Sequence, residues 1–141
     1  MKTIVLGASG ATGKLVVSQL LERNISARIV IRESASISDK ITKDKNIEIV
    51  KGNIDSFSMD KIRELLLDCD SVVCCLGHNI SFRGLFGQPQ KLVVNAVKKI
   101  STAIASDHTA KKFILMSTTA YTNKNQGEKN TFGENLILSL L

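Results

Sequence analysis

Glycines at positions 7, 10 and 13 constrain this chain more than any other feature, because of what stands on either side of them. Before them runs Thr3-Ile4-Val5-Leu6, short, apolar and β-rich. After them runs Lys14-Leu15-Val16-Val17-Ser18-Gln19-Leu20-Leu21-Glu22-Arg23, with apolar residues at helical spacing. Strand, glycine turn and helix follow one another. Glycine every three residues lets a chain turn with positive φ, approach a pyrophosphate closely and seat the new helix on the strand. Unpaired amides and the dipole at that helix N-terminus favour an anion. The loop therefore predicts a nucleotide phosphate site formed by Gly7, Ser9, Gly10, Ala11, Thr12 and Gly13. A P-loop is excluded, since the required first glycine would fall on Ala8 and Leu15 replaces the magnesium-binding hydroxyl. A tight turn using glycine for geometry alone is the competing reading.

With 141 residues the chain suits one domain, 1–141. Its composition, 43% hydrophobic and 23% charged, is that of a soluble globular protein. No apolar run reaches the length of a membrane span, and a fold that starts near residue 3 leaves no space for a signal peptide, so the expected location is cytoplasmic, with no membrane partner. Three cysteines, with Cys74 and Cys75 adjacent, form neither a disulfide framework nor a zinc spacing; they read as small buried hydrophobes, and no metal site is expected. The net charge of +6 raises the question of nucleic acid. Its lysines are scattered as Lys40/Lys43/Lys45, Lys98/Lys99 and Lys111/Lys112, with few aromatic platforms, so they are expected on solvated faces and no nucleic-acid partner is expected. A basic surface still attracts phosphorylated ligands.

Beyond the first helix the strand and helix patterns keep alternating. Asn24 is placed to stop the first helix, and Ala27-Arg28-Ile29-Val30-Ile31 reads as a second strand. Arg32 and Glu33 follow, about 20 residues past the glycine loop, where a dinucleotide's adenosine ribose meets the sheet. Arginine there suits a 2′-phosphate and an acidic residue suits a free hydroxyl; with Arg32 first, the reading leans to NADP and keeps NAD open. Two solvated charges are the alternative. Residues 34–46 are weakly patterned, with Ile37 and Ile41 as anchors of a short helix. Asn46 to Lys51 alternates as a third strand and leads into Gly52-Asn53-Ile54-Asp55, where Asn53 and Asp55 either bond adenine or make a turn.

Ser58 caps a helix with an apolar face of Met59, Ile62, Leu65 and Leu66. Ser71 to Leu76 is apolar almost throughout, as in a strand covered on both faces, and Gly77 leaves space for the cofactor's nicotinamide half. In the loop 78–88, Phe82 and Phe86 either cover substrate or anchor the loop to the core. Pro89 opens a helix with a stripe of Leu92, Val93, Ala96, Val97, Ile100 and Ile104. A fifth strand, Lys112 to Met116, ends at Ser117-Thr118-Thr119-Ala120-Tyr121, whose hydroxyls face the nicotinamide region. Residues 131–141 make an apolar helix carrying Phe132, Leu136, Ile137, Leu138, Leu140 and Leu141. Such a tail needs covering, and a homodimer contact is expected to cover it.

Gly7 to Gly13, Val30-Ile31-Arg32, Gly52 to Asp55, Val72 to Gly77 and Leu115 to Tyr121 together resemble the NmrA-like branch of the atypical short-chain dehydrogenase/reductase superfamily, near the biliverdin reductase B/flavin reductase group. The resemblance implies a Rossmann-like α/β domain with strand order 3-2-1-4-5, helices on both faces, and an NADPH-dependent reductase that passes hydride to a small, flavin, quinone or carbonyl acceptor. It places Arg32 on the 2′-phosphate, Asp55 on adenine, Gly77 beside the nicotinamide ribose and Ser117 or Thr119 at the reacting centre. Two departures accompany it. The superfamily's Tyr-x-x-x-Lys pair is missing, because Asn125 stands four places after Tyr121. The usual sixth strand and C-terminal substrate region are also expected to be lacking. A dinucleotide-sensing regulator without turnover, or a truncated inactive reductase, is the alternative.

Overall fold

The five apolar runs become five parallel strands: β1 (Lys2–Leu6), β2 (Ser26–Ile31), β3 (Ile47–Lys51), β4 (Ser71–Cys74) and β5 (Lys112–Leu115). The structure, a computed structural model, describes residues 1–77, 92–107 and 110–116. The strands pair in the order β3-β2-β1-β4-β5, the doubly wound arrangement expected from the sequence. Between them stand α1 (Ala11–Glu22), α2 (Asp39–Thr42), a 3₁₀ turn (Ile54–Ser56), α3 (Met59–Leu66) and α4 (Leu92–Ala105).

Side chains alternate across a strand, so each strand serves two cores. Ile4, Leu6, Val72 and Cys74 pack on one face with Ile62 and Leu65 of α3 and Ala96 and Ile100 of α4. Val5, Ala27, Ile29 and Ile31 pack on the other with Val17 of α1 and Ile41 of α2. Helices therefore cover both faces, which is why β1 and β2 read as nearly unbroken apolar runs. Each fully buried isoleucine or valine contributes about 1.5–3 kcal/mol.

The helix ends follow the expected signals. Asn24 has a φ of +54°; its amide bonds the Leu21 carbonyl while that of Ile25 bonds the Leu20 carbonyl, a Schellman closure of α1. Ser58 caps α3 by accepting from the Lys61 amide at 3.2 Å. The polar stretch 34–46 yields only the four-residue α2, held by buried Ile37 and Ile41. β5 is the least covered strand, with Ile114 and Leu115 both exposed.

At the edge of the sheet where the strands begin, polar groups are paired. Arg28, buried in β2, donates to the Leu65 carbonyl at 2.7 Å and the Leu67 carbonyl at 3.0 Å, and pairs with Glu48 at 2.8 Å and Asp68 at 3.0 Å. The Lys2 ammonium bridges the same carboxylates at 2.7 and 2.8 Å. Thr3 and Ser71, side by side in the register of β1 and β4, share a buried hydroxyl bond of 2.8 Å. The Arg28 guanidinium, then Lys2, holds the Glu48 carboxyl below its usual range, and hydrogen bonding to Lys2 does so for Asp68.

The scattered lysines divide. Lys40, Lys43, Lys45, Lys98 and Lys112 lie on solvated faces. Lys99 and Lys111 do not: the Lys111 side chain is only 6% exposed, pairs with Asp107 at 3.3 Å and donates to the Cys69 carbonyl at 3.0 Å.

Candidate functional site

β1 ends at Leu6, and Gly7 turns the chain with a φ of +75°. A Cβ there would stand 2.8 Å from the Cys75 carbonyl oxygen, so a larger residue would lift the loop off the end of β4. Gly13 is tighter still, since its Cβ would lie 2.1 Å from the Gly7 oxygen. The Gly10 amide closes the turn on the Gly7 carbonyl at 3.0 Å, and the Lys14 amide bonds the Gly10 carbonyl at 3.0 Å. As the N-cap of α1, Gly10 brings no side chain to bond the first amides, and no acidic residue stands in the first turn. Exposed Ala11 and Thr12 thus begin a helix whose leading amides meet no competing carboxylate in that turn.

Beside this loop, Arg32 and Glu33 are exposed where β2 ends, and the Ala35 amide turns back to the Arg32 carbonyl at 2.9 Å. The Gly52 amide donates to the Ile31 carbonyl at 2.9 Å, which draws the end of β3 alongside. Gly52 takes a φ of +146°, and a Cβ on it would be 2.5 Å from the Phe57 ring. The chain then folds into the 3₁₀ turn, where Asn53 Oδ1 accepts from the Asp55 amide at 3.2 Å. Asn53 therefore makes the turn.

Asp55 Oδ1 is buried and has no hydrogen-bond partner among the described residues. Asp55 as a residue lines a cleft of about 500 Å³ with Met59, Asn95, Lys98, Lys99 and Thr102. A buried acceptor left unpaired is costly, which marks this oxygen as the place where a donor from outside the chain would be favourable. The Lys99 ammonium, across the cleft on α4, donates to the backbone carbonyls of Asp55 at 2.5 Å, Phe57 at 2.9 Å and Ile54 at 3.4 Å. The sequence reading did not single out Lys99. Its one signal was a cation between Ala96, Ile100 and Ala103, all buried on the same helix.

Gly77 lies past the end of β4, and a Cβ there would meet only Met116 Cε at an ordinary 4.0 Å. Packing among the described residues does not demand glycine at 77; the space lies toward solvent. Burial pushes the Cys74 and Cys75 thiols up, consistent with inert packing residues. Among the described residues no helix is long and apolar enough to cross a membrane. Ser117, Thr119, Tyr121, the loop 78–91 and the segment 131–141 lie outside the described residues. The structure thus gathers the glycine loop, Arg32, Asn53, Asp55 and Gly77 at the carboxyl ends of the strands, where open α/β sheets bind ligands.

A family model described as NAD(P)H-binding matches residues 7–140. An uncharacterized chloroplastic protein of Arabidopsis thaliana is 30% identical over 82 residues, covering 57% of this chain and 29% of that protein. A wide-type short-chain dehydrogenase/reductase of Veillonella parvula, solved in complex with NADP, superposes with a TM-score of 0.64 at 16% identity, over 99% of this chain and 56% of that one. The Bordetella bronchiseptica enzyme WbmH in complex with NAD+ gives 0.58 at 18% identity, over 73% and 34%. The chain spans less than two thirds of the length of each, and the likeness to the two solved structures is one of fold.

Proposed function

The chain belongs to the NAD(P)H-binding family, and from that premise we propose that it is an NADPH-dependent oxidoreductase passing hydride to a small flavin, quinone or carbonyl acceptor. In this reading residues 1–141 are one cofactor-binding domain. The cofactor supplies the hydride. Gly7, Ser9, Gly10, Ala11, Thr12 and Gly13 hold the pyrophosphate through backbone amides, and the glycines keep side chains out of its path. The Arg32 guanidinium bonds the 2′-phosphate, with NAD as the cofactor if it does not. Asn53 shapes the turn that presents Asp55, whose free oxygen accepts from the adenine amino group. Gly77 leaves room for the nicotinamide ribose, and a hydroxyl of Ser117 or Thr119 orients the acceptor.

The observation that carries the reading is a glycine loop whose geometry the chain's own contacts enforce, at the same end of the sheet as Asp55 with its unpaired, buried Oδ1. Titration calorimetry with NADPH and NADH tests it. The expected result is tighter binding of NADPH; equal affinities would remove Arg32 from the site. Steady-state NADPH oxidation across quinone, flavin and carbonyl acceptors tests turnover. A non-catalytic dinucleotide sensor is the second reading, favoured by Asn125 standing where a Tyr-x-x-x-Lys pair starting at Tyr121 would need lysine. Binding without oxidation of NADPH by any acceptor in the panel would select it.

A further inference from the structure

Lys99 bonds no side chain among the described residues; it bonds the backbone of one turn. Its ammonium has three protons and three carbonyl acceptors, those of Ile54, Asp55 and Phe57, reached from α4 across 42 to 45 residues of sequence. From the other side the same turn is fastened by Asn53, through its Oδ1 to the Asp55 amide at 3.2 Å and its carbonyl to the Ser56 hydroxyl at 2.8 Å. Phe57, at the end of the turn, lies on Gly52, where no side chain would fit. The backbone at Asp55 is thus held before and behind, and its carboxylate is left with one oxygen buried in the cleft wall and unpaired.

Two things follow from where the ammonium donates. A lysine facing an aspartate would ordinarily take the carboxylate as partner and use up the acceptor. Here it takes the peptide carbonyls, so the carboxylate keeps its capacity to accept. A rigid, charged acceptor at the wall of a cleft discriminates between a ring bearing a donor and one bearing an acceptor at the same place. We infer that Lys99 is the positioning residue that gives this site its preference for a 6-aminopurine over a 6-oxopurine, acting through Asp55. The inference rests on the dinucleotide reading above and adds the residue that sets its base specificity.

The test compares NADPH with its hypoxanthine analogue, in which the 6-amino group is replaced by an oxo group, by calorimetry on the full chain. The unmodified chain is expected to favour NADPH by about tenfold or more, the effect of one hydrogen bond to a charged group. Lys99→Met is expected to bring the ratio close to one mainly by weakening NADPH. Lys99→Arg is expected to restore most of the preference, and Asp55→Asn to abolish it. If Lys99→Met does not fold by circular dichroism, Lys99→Gln, a shorter neutral donor, takes its place with an intermediate ratio expected. Equal loss of both cofactors, or an unchanged ratio, would show a structural lysine only and overturn the inference. Equal binding of the two by the unmodified chain would overturn it while leaving dinucleotide binding intact. No binding of either would overturn the dinucleotide reading, and this inference with it.

Discussion

The two edges of the sheet treat charge in opposite ways. Where the strands begin, Lys2, Arg28, Glu48 and Asp68 form one continuous network, and two of the Arg28 bonds go to carbonyls following α3 or at its end. Where the strands end, helix α1 starts uncapped by any side chain, Arg32 and Glu33 stand exposed, and Asp55 keeps a buried oxygen without a partner. Both edges are built from the same five strands, so the backbone does not account for the contrast. At the first edge the side chains satisfy one another; at the second, among the described residues, Arg32 and Glu33 face water and Asp55 Oδ1 is left without a partner. Polar groups that are fully paired stabilise or specify the fold, whereas those fixed without partners are available to a ligand.

Breaking the paired edge should have the largest effect and leave the other edge intact. Arg28→Met takes the guanidinium from the Leu65 and Leu67 carbonyls and leaves Glu48 and Asp68 to Lys2 alone, and urea unfolding is expected to show a loss of about 3–5 kcal/mol. Cofactor affinity of the protein that remains folded should hold within roughly twofold, because the edges are separate. Gly13→Ala should cost less stability, about 1–3 kcal/mol of overpacking. It drives a Cβ into the Gly7 oxygen and reshapes the phosphate loop, so calorimetry should show cofactor affinity falling as well.

Arg32→Ala sharpens the contrast from the other side. Its stability should stay within about 0.5 kcal/mol of the unmodified chain, while the preference for NADPH over NADH drops by about 1.5–3 kcal/mol. The smallest effect concerns acid. Glu48 and Asp68 hold protons less readily when folded than when unfolded, so their contribution is complete above the ordinary carboxylate range, about pH 4–5, and is lost as pH falls below it through their lowered folded values. Glu48→Gln should flatten the acid limb of a melting-temperature profile. With 46% of its side chain exposed, screening limits the change to about 1 kcal/mol.

What the sequence disclosed and what it withheld divide along the reach of the interactions. The glycine loop, Asn24 as a helix stop and Ser58 as a cap were legible because each depends on neighbours within a few residues, whereas the strand order, which rests on distant pairings, came only through the family resemblance. Asp55 was legible only as one of two outcomes, adenine contact or turn, and the structure assigns the turn to Asn53 while leaving Asp55 Oδ1 open. Arg28 and Lys99 were not legible. Their partners lie 20 to 45 positions away and include backbone carbonyls, which every residue possesses and no side-chain pattern advertises. Lys99 therefore looked like its exposed neighbour Lys98.

The order of strands also sets an order in time. β2 pairs with β1 and then β3 with β2 while the chain is still short, but the other side of β1 waits for β4, whose Ser71 joins Thr3 across 68 residues. At ribosomal speeds of about 5–20 residues per second that interval lasts roughly 3–14 s. Throughout it β1, with its apolar Ile4, Val5 and Leu6, presents a bare hydrogen-bonding edge, the kind of surface other chains can pair with. Closing so long a loop is also entropically slow compared with the local β1–β2–β3 pairings. The central place that later shields β1 completely is thus the reason it waits longest, from its own synthesis, for its second neighbour, and nascent chains halted before residue 71 should be the ones that aggregate.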